Sequence, residues 1–276
     1  MKEQRSLLYD NINIAYTVSG KGAAVVLIHG FAEDGAVWKH QEVFLRDYFQ
    51  LIIPDVPGSG KSDFLPVQQT SASHIITRYA DVIKSILEKE NISSCTIIGH
   101  SMGGYIALAF AEKYEDHING LGLFHSTAFG DSEEKKQHRD KAITFIQQHG
   151  THEFLKQSVP NLFAPSFAAE HPENITELIN ASGNFTAQVL VQYYEAMKAR
   201  PDRTAVLKNI LKPVLFIMGE EDKSVYLQDS LSQCYLPGLS LISIFPGVAH
   251  MGMWEVKDQA NVTLIKFLNC TLHARL

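Results

Sequence analysis

Short unbroken apolar runs alternate along this chain with longer stretches whose apolar residues recur every three to four positions. The runs fall at 23–28, 50–54, 95–98, 118–124, 214–218 and 239–245, each followed by Gly, His, Asp or Pro. A strand wet on one face alternates apolar with polar, whereas an unbroken run is the pattern of a strand covered on both faces. Buried strands are therefore expected at all six places. Helix-period stretches occupy 37–48, 73–90, 102–114, 227–235 and 254–272. Strand and helix in alternation predict an α/β fold, a doubly wound and mostly parallel sheet with right-handed crossovers. Ahead of it, 6–9 and 12–18 flank Asp10-Asn11 and read as a hairpin.

One interval breaks this rhythm. About 89 residues separate Phe124 from Val214, where a crossover needs a few tens. The reading is a helical cap at 126–212 inserted after the sixth strand, between core segments 1–125 and 213–276. Asp131-x-x-Glu134 reads as a capping box opening a helix, with Ala142, Phe145 and Ile146 as its apolar stripe. The mixed charges at 131–141 read as a solvated face with i,i+4 pairing.

The strongest chemical signal is Gly99-His100-Ser101-Met102-Gly103-Gly104, placed where an apolar run ends and an apolar helix begins. A serine on such a strand-to-helix turn must adopt a strained backbone, and glycines two before and two after it prevent clashes there. The turn lifts the Ser101 hydroxyl above the sheet and brings the Met102 N–H toward a developing oxyanion. A serine needs a base near neutral pH, and the base needs an orienting acid. His250 follows the last run, on a loop at the sheet edge where ligands collect in open α/β folds. Asp222, in Gly219-Glu220-Glu221-Asp222, is the leading acid, with Glu220 and Glu221 as near alternatives and Asp131 as a remoter one. The chain order Ser101, Asp222, His250 is the order this architecture uses. His29-Gly30-Phe31 follows the first run and offers the Phe31 N–H as a second oxyanion donor, with His29 supporting the loop.

Composition narrows the function further. The 276 residues are 45% hydrophobic and carry a net charge of -6, which repels nucleic acid and anionic membranes. No apolar run reaches the roughly 20 residues that span a bilayer. The first ten residues show no secretion signal, so a cytoplasmic location is expected. Three widely spaced cysteines form no C-x-x-C pair, and His149-x-x-His152 has no carboxylate or cysteine cluster beside it. No metal and no cofactor are expected.

These pieces resemble the α/β-hydrolase superfamily, in its small, single-chain, cap-bearing branch. The likeness runs through His29-Gly30-Phe31, Asp55-Val56-Pro57-Gly58-Ser59-Gly60-Lys61-Ser62, Gly99 to Gly104, Gly219 to Asp222 and Ala249-His250-Met251. In the second of these the family's glycines shape a loop near the site. The spacing between Gly58 and Gly60-Lys61-Ser62 excludes a phosphate-binding P-loop.

With serine as nucleophile the expected reaction is acyl transfer, cleaving a small to medium carboxylic ester through an acyl-enzyme. Trp38, Phe129, Met251 and a helper or structural His125 are expected in the pocket wall beside Phe31 and Met102. The resemblance leaves two alternatives open: a serine-based C–C hydrolase or perhydrolase, and a slow small-molecule receptor. A small-molecule substrate is expected; the oligomeric state is not legible.

Overall fold

The computed structural model describes residues 2–66 and 71–273. Strands β1 (Lys2–Tyr9) and β2 (Ile12–Ser19) form the hairpin. Asp10 and Asn11 turn it at φ 45° and 63°, the left-handed pair a tight two-residue turn requires. Then come β3 (Ala24–Ile28), α1 (Lys39–Leu45), β4 (Gln50–Pro54), α2 (Ile75–Lys89), β5 (Cys95–His100), α3 (Met102–Lys113) and β6 (Ile118–Phe124). The chain next leaves the sheet for α4 (Glu133–His149), α5 (Thr151–Ser158), α6 (Pro165–Glu170), α7 (Pro172–Ala181), α8 (Ala187–Ala199) and α9 (Thr204–Asn209). It returns as β7 (Val214–Gly219), α10 (Leu227–Leu231), β8 (Ser240–Phe245), α11 (Gly252–Glu255) and α12 (Lys257–His273).

The sheet order is β1-β2-β4-β3-β5-β6-β7-β8. Only the pairs β1/β2 and β2/β4 are antiparallel; β4 through β8 run parallel. Helix α2 packs on α3 and α1 on α12, flanking the sheet. The expected α/β architecture, with its helical insertion after the sixth strand, is the one observed. No helix among the described residues is long and apolar enough to cross a membrane.

The local expectations that fail do so for packing reasons. Run 239–245 reads as doubly covered, but β8 closes the sheet edge and leaves Ile242 and Ile244 exposed. The α4 helix is not opened by an Asp131 capping box: Ser132 is the N-cap and accepts from the Lys135 N–H at 3.2 Å. Asp131 is instead buried and pairs with Arg139 of α4 and with Arg200, whose Nη1 lies 2.7 Å away. Two arginine partners, one of them 69 residues away, outcompete a cap that serine supplies anyway. The Asp131 charge is thus not on a solvated face. On α4 the buried positions are Ile143 and Ile146, with Ala142 and Phe145 half-buried beside them.

Candidate active site

Strand β5 ends directly under Ser101, whose backbone sits at φ 50° and ψ -116°. This strained turn persists because its surroundings leave no alternative. A Cβ on Gly99 would fall 2.1 Å from the Gly103 carbonyl, and one on Gly103 would fall 2.4 Å from that of Ile28. The Ser101 N–H is anchored on the Phe124 carbonyl at 3.0 Å. Met102 opens α3, so its N–H and the positive end of that helix lie beside the hydroxyl.

His250 and Asp222 arrive from the loops after β8 and β7. His250 Nδ1 donates to Asp222 Oδ2 at 2.8 Å. Oδ1 of the same carboxylate accepts the Ser224 and Val225 N–H groups at 2.8 and 2.9 Å. Of the sequence alternatives, Glu220 turns outward to the Gly247 N–H and Asp131 is taken by its arginines. Burial would raise the Asp222 carboxyl, but the His250 charge and the hydrogen bonds from His125 and His250 hold it well below the usual carboxylate range. Burial likewise opposes a charged His250, yet Asp222, with Glu33 and Glu255 farther off, raises it above the ordinary imidazole value.

His125 is not in the pocket wall. It is buried behind the acid, and its Nδ1 donates to Asp222 Oδ2 at 3.1 Å. Burial, only partly offset by Asp222, pushes it down to about 4, so it is a neutral imidazole near pH 7. Donor atoms of His125, Asp222 and His250 lie within 4.8 Å of one another. The separations of 2.8 and 3.1 Å are those of N–H···O bonds, so this cluster reads as a hydrogen-bond network and not as a metal cradle.

Ser101 and His250 open into one cavity of about 520 Å³. Its apolar wall includes Phe31, Tyr105, Leu162, Tyr194 and Met197, and its charged lining mixes Lys135, Arg139 and Lys223 with Glu33, Glu134 and Asp229. Phe31 stacks on Tyr194 with ring centroids 4.3 Å apart. A separate cleft of about 330 Å³, between Asp34, Asp55 and Phe185, holds none of the three candidate catalytic residues. Four other residues expected in the wall are elsewhere, among them Met102, which is buried at the start of α3. Trp38 is fully buried against Phe124 and His100, and Met251 is buried with its N–H on Glu255. Phe129 is half-buried where the chain enters the insertion, its carbonyl bound by Arg200. All four stand in or close to site loops, but the wall is made by other residues of those loops, such as Phe31 and Lys223 to Tyr226, together with the helical insertion.

Several supporting residues carried no readable sequence signal. Glu255 accepts the Ala249, Met251 and Ala164 N–H groups and so clamps the His250 loop to the insertion. The His250 N–H also binds the Leu162 carbonyl at 2.9 Å. His29 supports its loop as expected, accepting the Val56 N–H at 2.9 Å. Beneath the serine, His100 bridges the Glu33 carboxylate at 3.0 Å and the His250 carbonyl at 3.0 Å. Glu33 sits near a legible feature, three residues after Gly30, and His100 inside one, directly before Ser101.

Comparison with known proteins identifies the family and agrees with the fold. The family model described as serine aminopeptidase, S33 matches residues 20–255. The chain belongs to that family, and with it to the α/β-hydrolase superfamily. This hydrolase is 27% identical over 268 residues to a 2-hydroxy-6-oxononadienedioate/2-hydroxy-6-oxononatrienedioate hydrolase of Paraburkholderia phymatum, covering 93% of this chain and 91% of that one. It is 24% identical to a 2-hydroxy-6-oxo-6-phenylhexa-2,4-dienoate hydrolase of Comamonas testosteroni, over 92% and 91% of the two chains. A thermophilic esterase from Thermogutta terrifontis superposes with a TM-score of 0.89 at 26% identity, over 98% of the hydrolase and 99% of the esterase.

Proposed function

We propose that this hydrolase cleaves small to medium carboxylic esters through a Ser101-His250-Asp222 triad. The observation that carries the reading is the His250–Asp222 bond of 2.8 Å, set behind a strained serine in the same cavity. His250 Nε2 takes the Ser101 proton as Oγ attacks the ester carbonyl. The N–H groups of Phe31 and Met102 receive the oxyanion. His250 then protonates the departing alkoxide, and an activated water releases the acid from the acyl-enzyme. Asp222 fixes the ring tautomer and stabilises the imidazolium. Positions 1–125 and 213–276 would supply the catalytic loops, and 126–212 the cap.

Sustained turnover of a p-nitrophenyl ester series from acetate to octanoate tests this reading. Ser101→Ala should reduce kcat by about 10⁴-fold or more, while unchanged hydrolysis by the variant would sink it. A single burst without turnover would point instead to a receptor-like role.

A second reading is C–C bond hydrolysis with the same serine. Its support is the pair of relatives named for oxo-dienoate substrates, together with Lys223 in the cavity, a base with no ion-pair partner among the described residues. Turnover of such an oxo-dienoate at a kcat/KM above that for every ester would favour it.

A further inference from the structure

The cavity wall beside Ser101 holds one buried carboxylate that the triad does not use. Glu33 is 4% exposed and lines the cavity together with Ser101 and His250. Its Oε2 is taken twice, by the Gly30 N–H at 2.6 Å and by His100 Nδ1 at 3.0 Å. Among the described residues Oε1 has no protein partner, and it is not among the sealed polar atoms that lack one. The group lies near the nucleophile: a Cβ placed on Gly30 would sit 3.1 Å from Glu33 Oε2 and 3.2 Å from Ser101 Cβ, so Gly30 stands between the two side chains.

We propose that Glu33 is a specificity-determining residue whose free oxygen accepts a hydroxyl on the acyl carbon next to the scissile carbonyl, making 2-hydroxyacyl esters the preferred substrate class. This rests on the ester reading above. The acyl group stays on Ser101 through both half-reactions, so an acceptor fixed beside that residue meets the atoms nearest the acyl carbonyl. A neutral donor fits better than an ammonium. Oε2 already takes two donors, so one oxygen remains, which a single-donor hydroxyl satisfies, whereas an ammonium would bring three donors to it. A substrate that covers this oxygen with only a methyl group would leave it without a donor and is disfavoured.

The test compares phenyl glycolate with phenyl propionate, its near-isostere, and with phenyl methoxyacetate, which cannot donate. Each kcat/KM is divided by the hydroxide-catalysed rate constant of the same ester. The wild type should favour the glycolate by about tenfold or more over both, and Glu33→Met should bring the ratios to within about twofold. Glu33→Gln, which keeps the shape, should reduce the preference if Glu33→Met does not fold. A wild-type ratio within twofold would overturn the proposal without any variant, as would an undiminished preference in either variant. Turnover of phenyl propionate without hydroxyl preference defeats this inference alone; no turnover of any of the three defeats the ester reading as well.

Discussion

His125 donates its Nδ1 hydrogen to the same Asp222 oxygen that orients His250, at 3.1 Å, and it does so as a buried neutral ring. Four hydrogen bonds therefore converge on one carboxylate, two at each oxygen. A carboxylate so surrounded stays ionised in an apolar interior.

That neutral ring makes folding sensitive to mild acid. The folded-state value of His125 lies at about 4 against an ordinary 6.5, so between these the unfolded chain binds a proton that the folded chain does not. The stability this contributes is complete above 6.5 and is lost as the pH falls toward 4, by up to about 1.4 kcal/mol per pH unit. His250, raised above 6.5, is protonated in both states over that window and adds no slope. His125→Asn tolerates the backbone φ of 48° and should flatten the dependence. Urea unfolding of both proteins between pH 4 and 7 measures it, and equal slopes would exclude His125 as the cause.

Asp222→Asn should reduce kcat by about 10³- to 10⁴-fold, because the amide no longer holds the productive tautomer or the imidazolium. The acid limb of kcat/KM follows His250, which must be neutral to act as base. In the wild type it should lie above the ordinary imidazole value, and in Asp222→Asn it should move to lower pH as the raising charge disappears. Steady-state pH profiles of the two proteins decide both points.

Asp131 has a fully buried carboxylate that pairs with both Arg139 and Arg200 where the chain enters the insertion. Asp131→Ala strands two cations, of which Arg200 is almost wholly buried. A loss of about 3–5 kcal/mol is expected, measured by denaturant unfolding. A change below 1 kcal/mol would show that water compensates the arginines.

Gly99→Ala puts a methyl group into the Gly103 backbone, which has no rotamer with which to yield. The expected cost is about 3 kcal/mol or more. Soluble expression and melting temperature read it out, and a variant of wild-type stability would mean that the serine turn relaxes more easily than its contacts suggest.

The sequence by itself determined the sheet, the place of the insertion and the geometry of the serine turn. These are written in local signals: unbroken apolar runs, a change from strand to helix period, and glycines at fixed offsets from Ser101. It also placed Asp222 and His250 on loops at one edge, because parallel strands deliver their C-terminal ends to the same side. The cavity wall was decided only by tertiary structure. Trp38 and Met251 lie close in sequence to site loops yet are sealed in the core, while Tyr194, Arg139 and Leu162 reach the cavity from the insertion. Partners such as Glu33 with His100, or Asp131 with Arg200, are separated by 67 and 69 residues. Nothing periodic in a chain encodes which distant charges meet. That is settled when helices without strong local direction dock on the sheet and each buried charge must find its counterpart.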